Sequence, residues 1–283
     1  MNANALLGPL ESIWADLDSL FASFDAEDWT RVHGPDWTFA DIPFHLAYFD
    51  RDLIARPILA GDGPDAPTDR MFRTLGDLNN WNDAHFAARP ADHTIDDFLT
   101  DMHDARDELR AALAAPRAAE APVFVSLPGA GWVDVAGAVK RVQTHSWNHF
   151  AEARVRHGRP APTPDADIIH DAIGVNLGYR PLFCVANAST PPFSARLTIQ
   201  GHGGGDWVID IVDGDCRVIE DGVIDVDLTL SYADVDSFVA MNFAVATPDS
   251  LIEQGRLEIS DMAGMARMAE LIPPPGPDTV FNT

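Results

Sequence analysis

Residues 135–160, VAGAVKRVQTHSWNHFAEARVRHGRP, decide the fold. Val135, Val139 and Val142 recur at three- and four-residue spacing, the period of an amphipathic helix. Arg154, Arg156 and His157 suit a last turn, where cations meet the negative end of the helix dipole. Gly158 can take the left-handed cap, and Pro160 cannot continue a helix. A helix is therefore expected from about Val135 to His157. RPAPTPDAD (159–167) then reads as a linker, and the character of the chain changes on either side of it.

Upstream, the first 158 residues read as helical. In LESIWADLDSLFASF (10–24), Leu10, Ile13, Trp14, Leu17, Phe21 and Phe24 share one face. Thr38 and Asp41 resemble a capping box that opens a second helix, DIPFHLAYFDRDLIARPIL, with Pro43 close to its start. A third helix is expected over 69–88. A fourth opens at Thr94 and Asp97, with Ile95, Phe98, Met102, Leu109 and Leu113 as its apolar stripe. AAPRAAEAP (114–122) breaks it.

Downstream, a helical stretch near 167–180 leads into SARLTIQ, DWVIDIV, CRVIED, VDLTLSY and GRLEISD, each alternating with the period of a half-buried strand. Asp213-Gly214 is a hairpin signal between two of them. Two helices, ADVDSFVAMNFAV and MAGMARMAELI, interrupt or follow the strands, and LIPPPGPDTVFNT reads as an irregular tail. The expected architecture is multidomain: a helical bundle over 1–158, a linker over 159–166 and an α+β domain over 167–283.

The chain has 283 residues, of which 46% are hydrophobic, so a sizeable core can form. No apolar run approaches the ~20 residues that cross a bilayer. MNANALLGPLESIW carries no secretory signature, which makes the cytoplasm the expected compartment. With 44 acidic against 19 basic residues the formal charge is -25, a field that repels nucleic-acid phosphates and anionic membranes. No nucleic-acid partner and no membrane insertion are expected, and an anionic ligand would need local arginines. The two cysteines, Cys184 and Cys216, read as too isolated for a disulfide or a thiolate site.

The chemistry lies in the histidines. His145 and His149 stand four residues apart, which stacks their imidazoles on one helix face at the edge of the inward surface. His45 lies beside Leu46, Phe49 and Leu53 on another expected helix, where a buried imidazole needs a partner. Three neutral imidazoles suit a divalent ion, zinc foremost, with nickel or ferrous iron as alternatives. Asn79, Asn82, His85 and Phe86 share a helix face that either contacts substrate or faces water. The other histidines have no such company. Asp50, Asp52 and Glu152 are the carboxylates nearest in sequence that could serve as a general base. No catalytic protein nucleophile is identifiable. Arg180 and Arg217 are each open to two readings, an anion contact or an ion pair in an acidic protein. Met262, Met265 and Met268, with Met241, Phe238 and Phe243, read as ordinary core or as the wall of a cavity for a hydrophobic ligand.

GPDWTFADIPFHLAYFDRDLIARP and THSWNHFAEARVRHGR resemble the two metal-ligand segments of the DinB-like superfamily. The order of elements most resembles its thiol-dependent (mycothiol-type) maleylpyruvate isomerase-like branch, into whose second domain HDAIGVNLGYRPLFCVAN would connect. DVDLTLSYADVDSFVAM and LIEQGRLEISDMAGMARMAELI resemble the sterol-carrier-protein type 2 fold. Together these cover nearly the whole chain. The resemblance implies a four-helix bundle holding one divalent metal, a sterol-carrier-like α+β domain and a homodimer. His45, His145 and His149 match the ligand positions, although the maleylpyruvate isomerase-like branch usually has Glu where this chain has His145. The activity implied is activation of a low-molecular-weight thiol for S-transfer or cis-trans isomerisation of a small, hydrophobic substrate. Two alternatives are a metal-dependent hydrolase and a non-enzymatic carrier of a hydrophobic ligand with a structural metal. Asn82, His85 and Arg180 are the candidate substrate contacts.

Overall fold

The computed structural model describes residues 3–33, 37–60, 72–115, 123–127, 131–159 and 161–274. It is a mixed helical and sheet architecture, with the helices concentrated before residue 158 and the main sheet after it. The long helices of the first part are α1 (Ala3–Ala22), the continuous segment formed by α3 (Asp41–Tyr48), a π-helical stretch (Phe49–Ala55) and α4 (Arg56–Ala60), then α6 (Ile95–Ala114) and α7 (Val135–His157). Short α2 (Ala26–Thr30) and α5 (Leu75–Ala87) lie between them. Leu10, Ile13, Trp14, Leu17 and Phe21 of α1 are buried, as their spacing requires, and α1 packs against α7 while α3 packs against α6.

Helix boundaries follow their caps. Thr94 and Asp97 form a reciprocal capping box at α6, and Gly158 ends α7 with φ +61°. Two expectations need correction. The third helix starts at Leu75 rather than 69, because Thr74 and Asp77 build a capping box there; 61–71 lie outside the described residues. At α3 the N-cap is Ala40, which has no side chain to cap with. Instead the Thr38 amide and hydroxyl both donate to the Asp41 carboxylate, at 2.7 and 2.9 Å. The breaker segment and the end of the tail fall mostly outside the described residues.

The π-helical stretch has no counterpart in the residue pattern. Pro57, which donates no N–H, lies just beyond it. A wider turn re-phases the side chains, so Phe49 reaches the histidines while Leu53, Ile54 and Ile58 stay in the core. A small antiparallel pair, β1 (Val123–Val125) and β2 (Gly131–Val133), also escapes the alternation rule because each strand is only 3 residues long.

After α7, helix α8 (Ala166–Gly178) packs back on α7 through a buried stripe that includes Ile169, Ala172 and Ile173. A 3-10 turn (Arg180–Phe183) leads to β3 (Phe193–Ile199), β4 (Gly205–Val212), β5 (Asp215–Glu220), β6 (Leu228–Tyr232) and β7 (Leu257–Ile259). Their order in the sheet is β5-β4-β3-β6-β7, with β3 and β6 parallel and the other pairs antiparallel. Asp213 and Gly214 form the β4–β5 turn with φ of 54° and 85°, the left-handed geometry that a two-residue hairpin demands. Helices α9 (Val235–Asn242), α10 (Pro248–Glu253) and α11 (Met262–Leu271) complete this part. Buried apolar side chains from Leu10 to Leu271 form one contiguous cluster. Arg154 of α7 pairs with Asp236, and Arg156 donates to the Phe243 carbonyl at 3.1 Å, so the end of α7 is fastened to α9. Among the described residues no helix is long and apolar enough to cross a membrane.

Candidate metal centre

Helix α7 presents His145 and His149 one turn apart, and α3 brings His45 against them from across the helical core. The three rings pack edge to face, with centroids 4.7 to 5.1 Å apart. Their Nε2 atoms converge: His45 to His145 is 2.8 Å and His149 to His145 is 3.2 Å. Trp37 packs on His45, and Phe49 stacks on His145 at 3.8 Å, so aromatic rings wall two sides of the site.

Burial holds all three imidazoles neutral. It pushes His145 down to about 3, and it lowers His45 and His149 well below 6.5, reinforced by the neighbouring imidazoles. The proton of His45 is placed by an outer chain. Its Nδ1–H donates to the Tyr48 hydroxyl at 2.6 Å, and that hydroxyl donates to Asn82 Oδ1 at 3.0 Å. The His45 Nε2 lone pair therefore faces the other two rings.

This arrangement is unfavourable for protons alone. A neutral imidazole nitrogen carries one proton or one lone pair, so His145 Nε2 can satisfy only one of its two close nitrogen neighbours. A cation placed among the three lone pairs would satisfy all of them. Ligand nitrogens about 2.0–2.1 Å from one ion stand roughly 3–3.4 Å apart, which the observed separations approach. The donor set thus fits a divalent metal with one open side.

The residues around the triad sort differently from their sequence reading. Asn82 touches it through Tyr48, and His85 stacks on the Tyr48 ring at 4.3 Å. His85 also faces the Trp81 carbonyl at 2.9 Å and the Asp52 carboxylate at 3.0 Å. Arg180 is not part of this group; it bonds Asn242 Oδ1 at 2.6 Å, beside a cavity next to the sheet. No carboxylate pairs with it among the described residues, whereas Arg217 is paired with Asp210.

His33, expected to stand alone, joins His149 and Glu152 in a second cluster of ligating groups. Its Nδ1 lies 3.3 Å from Glu152 Oε2, and Arg156 donates to the other Glu152 oxygen at 2.7 Å. Burial raises Glu152, but hydrogen bonding and charge from His33, His149 and Arg156 outweigh it and keep the carboxylate ionised. No spacing rule could have found His33, because it precedes α3 in a loop. His157 and His170 also have acid partners, Asp28 at 3.0 Å and Glu220 at 2.7 Å. The cysteines are neighbours too: burial and the Cys184 thiol push Cys216 up to about 12. They are a close thiol pair rather than isolated residues.

The family model described as the DinB superfamily matches residues 10–153, half of the chain and all three histidines. The chain belongs to the DinB superfamily. No curated protein matches it in sequence. Two crystal structures of the mycothiol-dependent maleylpyruvate isomerase superpose on this DinB protein. A histidine-to-alanine mutant does so with a TM-score of 0.57 at 11% identity, covering 92% of this chain and 93% of the other. The unmutated protein gives 0.52 at 10% identity, covering 92% and 95%. The shared fold therefore includes the sheet as well as the DinB part. Sterol Carrier Protein 2 Like 2 from Aedes aegypti matches 38% of this chain over 94% of its own length. Identity there is 21%, and its TM-score of 0.28 is too low to define a fold.

Proposed function

We propose that this DinB protein is a metal-dependent enzyme holding one divalent ion, zinc by preference, on His45, His145 and His149. The carrying observation is the convergence of three neutral imidazole Nε2 atoms on one point. Bound there, the ion would supply Lewis acidity, lowering the pKa of a low-molecular-weight thiol so that it acts as a nucleophile at neutral pH. Tyr48 and Asn82 fix the His45 tautomer, while Trp37 and Phe49 pack against the His45 and His145 rings. The reaction class is S-transfer or cis-trans isomerisation of a small substrate, in line with the fold shared with the maleylpyruvate isomerase. Asn82 and His85 form the wall nearest to a bound substrate.

In this reading α1, the α3–α4 segment, α6 and α7 make a DinB-type four-helix bundle within a domain of residues 1–158. Residues 167–283 make a sterol-carrier-like domain. Hydrolysis has less support, because two of the proposed bases are engaged elsewhere and the third, Asp50, is not among the groups gathered at the triad. Glu152 is tied to Arg156 and Asp52 to Arg56 and His85, while Asp50 is buried, which pushes it up to about 7 against the smaller opposing charge of Arg106. A carrier role with a structural metal draws on the cavity beside the sheet, but a three-nitrogen donor set with one open side favours a catalytic ion.

Metal analysis of untagged protein tests the site. One ion per chain is expected in the wild type and none in His45→Ala or His149→Ala. Retention in either variant would remove it from the ligand set. With maleylpyruvate as the probe substrate, thiol-dependent turnover that vanishes with the metal would support the reaction class. Turnover unaffected by the thiol would exclude it.

A further inference from the structure

Beside the triad, His33, His149 and Glu152 each offer one ligand atom, and these atoms all stand within 4.8 Å of one another. Two elements bring them together. Helix α7 carries Glu152 three residues beyond His149, so both project from one face. The loop before α3 carries His33, whose N–H donates to the Trp37 carbonyl at 2.8 Å next to the Val32–Thr38 bridge. The His33 ring packs on Phe39 and His149, with centroids 5.1 and 5.4 Å away. Its side chain is 9% exposed and that of Glu152 7%, so the fold itself holds the cluster; it is no chance meeting of surface groups.

The donor chemistry favours a cation. His33 Nδ1 and Glu152 Oε2 are 3.3 Å apart, the separation of two atoms that share one ion at about 2.0–2.2 Å. Arg156 donates to the other carboxylate oxygen, Oε1, at 2.7 Å and leaves Oε2 to face His33. His149 has one edge that the triad does not use. Its Nε2 faces His145 at 3.2 Å, while its Nδ1 is buried and meets no hydrogen-bond partner among the described residues. A buried, unmatched ring nitrogen is costly, and coordination removes that cost. The excess of 44 acidic over 19 basic residues also draws cations toward the molecule.

We infer that His33, Glu152 and the Nδ1 edge of His149 form a second site for a divalent cation of the zinc type, with His149 bridging it to the triad. Two imidazoles and one carboxylate are a donor set that such ions take with a position left for water. Bridging requires the Nδ1 proton of His149 to pass to solvent as the second ion binds. Two cations also come close to one ring and repel each other. The second ion is therefore held more weakly than the first and enters only when metal is supplied. The bridging by His149 rests on the triad reading; the set of three donors does not.

Equilibrium dialysis of the full chain against zinc, buffered first at nanomolar and then at micromolar free ion, tests it. Wild type should hold one ion in the first condition and two in the second. His33→Ala and Glu152→Gln should hold one in both, with native circular dichroism. His45→Ala should hold none at nanomolar zinc and one at micromolar zinc. If His45→Ala matches wild type in both conditions, the triad reading fails and the second site stands. A wild type that stops at one ion overturns the inference. So does a second ion that persists in His33→Ala or Glu152→Gln, because surface carboxylates then hold it. Should either variant not fold, cobalt(II) added to zinc-loaded wild type decides. With zinc content unchanged, it should shift imidazole proton resonances paramagnetically, and a cobalt ion that shifts none overturns the inference.

Discussion

At the scale of single residues, two buried groups oppose each other in their response to pH. Asp50 is 1% exposed, both its oxygens lack hydrogen bonds among the described residues, and burial pushes it up to about 7. The group's folded pKa is raised, so the protein is relatively favoured at low pH and loses stability as pH rises from about 4 to about 7. The shift corresponds to an order of ~4 kcal/mol, an upper bound for one carboxyl. Asp50→Asn should therefore stabilise the protein at pH 8 and change little at pH 4.5, as urea unfolding would read. An equal effect at both values would mean that Asp50 ionises freely in the fold. The triad acts the other way. Its imidazoles have depressed pKa values, so their stability is present above about 6.5 and lost as pH falls below it. Chelator-treated protein should show this acid loss, and Asp50→Asn should not remove it. Tyr48→Phe removes the hydroxyl that orients His45 and should weaken metal binding about 10–100-fold. Competition with a chromogenic chelator measures that change, and undiminished affinity would show that the hydroxyl is not needed.

At the scale of elements, the sequence is legible where local chemistry decides. The bounds of α7 follow from its valine stripe, its basic last turn and Gly158, and the β4–β5 hairpin follows from Asp213-Gly214. The pairing of His145 with His149 is equally local, since a helix alone enforces it. His45 becomes readable only through its apolar neighbours. Other features depend on contacts that no window of sequence contains. The π-helical turn that aims Phe49 at His145 answers to packing, and His33 reaches Glu152 only after the chain folds across 119 positions. Cys184 and Cys216 meet because the 3-10 turn packs on the edge strand β5. Gly158 offers a clean test of a local rule. A Cβ added there meets nothing within 4 Å, so Gly158→Ala carries only the cost of φ +61°. That cost is about 1–2 kcal/mol. A lowered thermal midpoint with unchanged metal content is the expected result, and an unchanged midpoint would show that the end of α7 can relax.

At the scale of the whole molecule, net charge and contact pairs pull in opposite directions when salt is added. Even if every Lys and Arg found an acid, 25 negative charges would remain without a partner. A chain of this length has a radius of gyration near 19 Å. In about 0.01 M salt the screening length is about 30 Å, so every excess charge feels the others; near 0.15 M it is about 8 Å, and the repulsion becomes local. Contact pairs such as Arg106–Asp18 at 2.7 Å lose less, because their charges nearly touch and the guanidinium is buried. Self-repulsion destabilises the compact state more than the expanded one. The thermal midpoint should therefore rise by several degrees from 0.01 to about 0.2 M sodium chloride and then level off. A midpoint that falls over that range would mean that the surface ion pairs, including Arg154–Asp236 between α7 and α9, outweigh the global field. The same screening should leave metal content unchanged, because an ion on the proposed triad would be held by short-range coordination rather than by the global field.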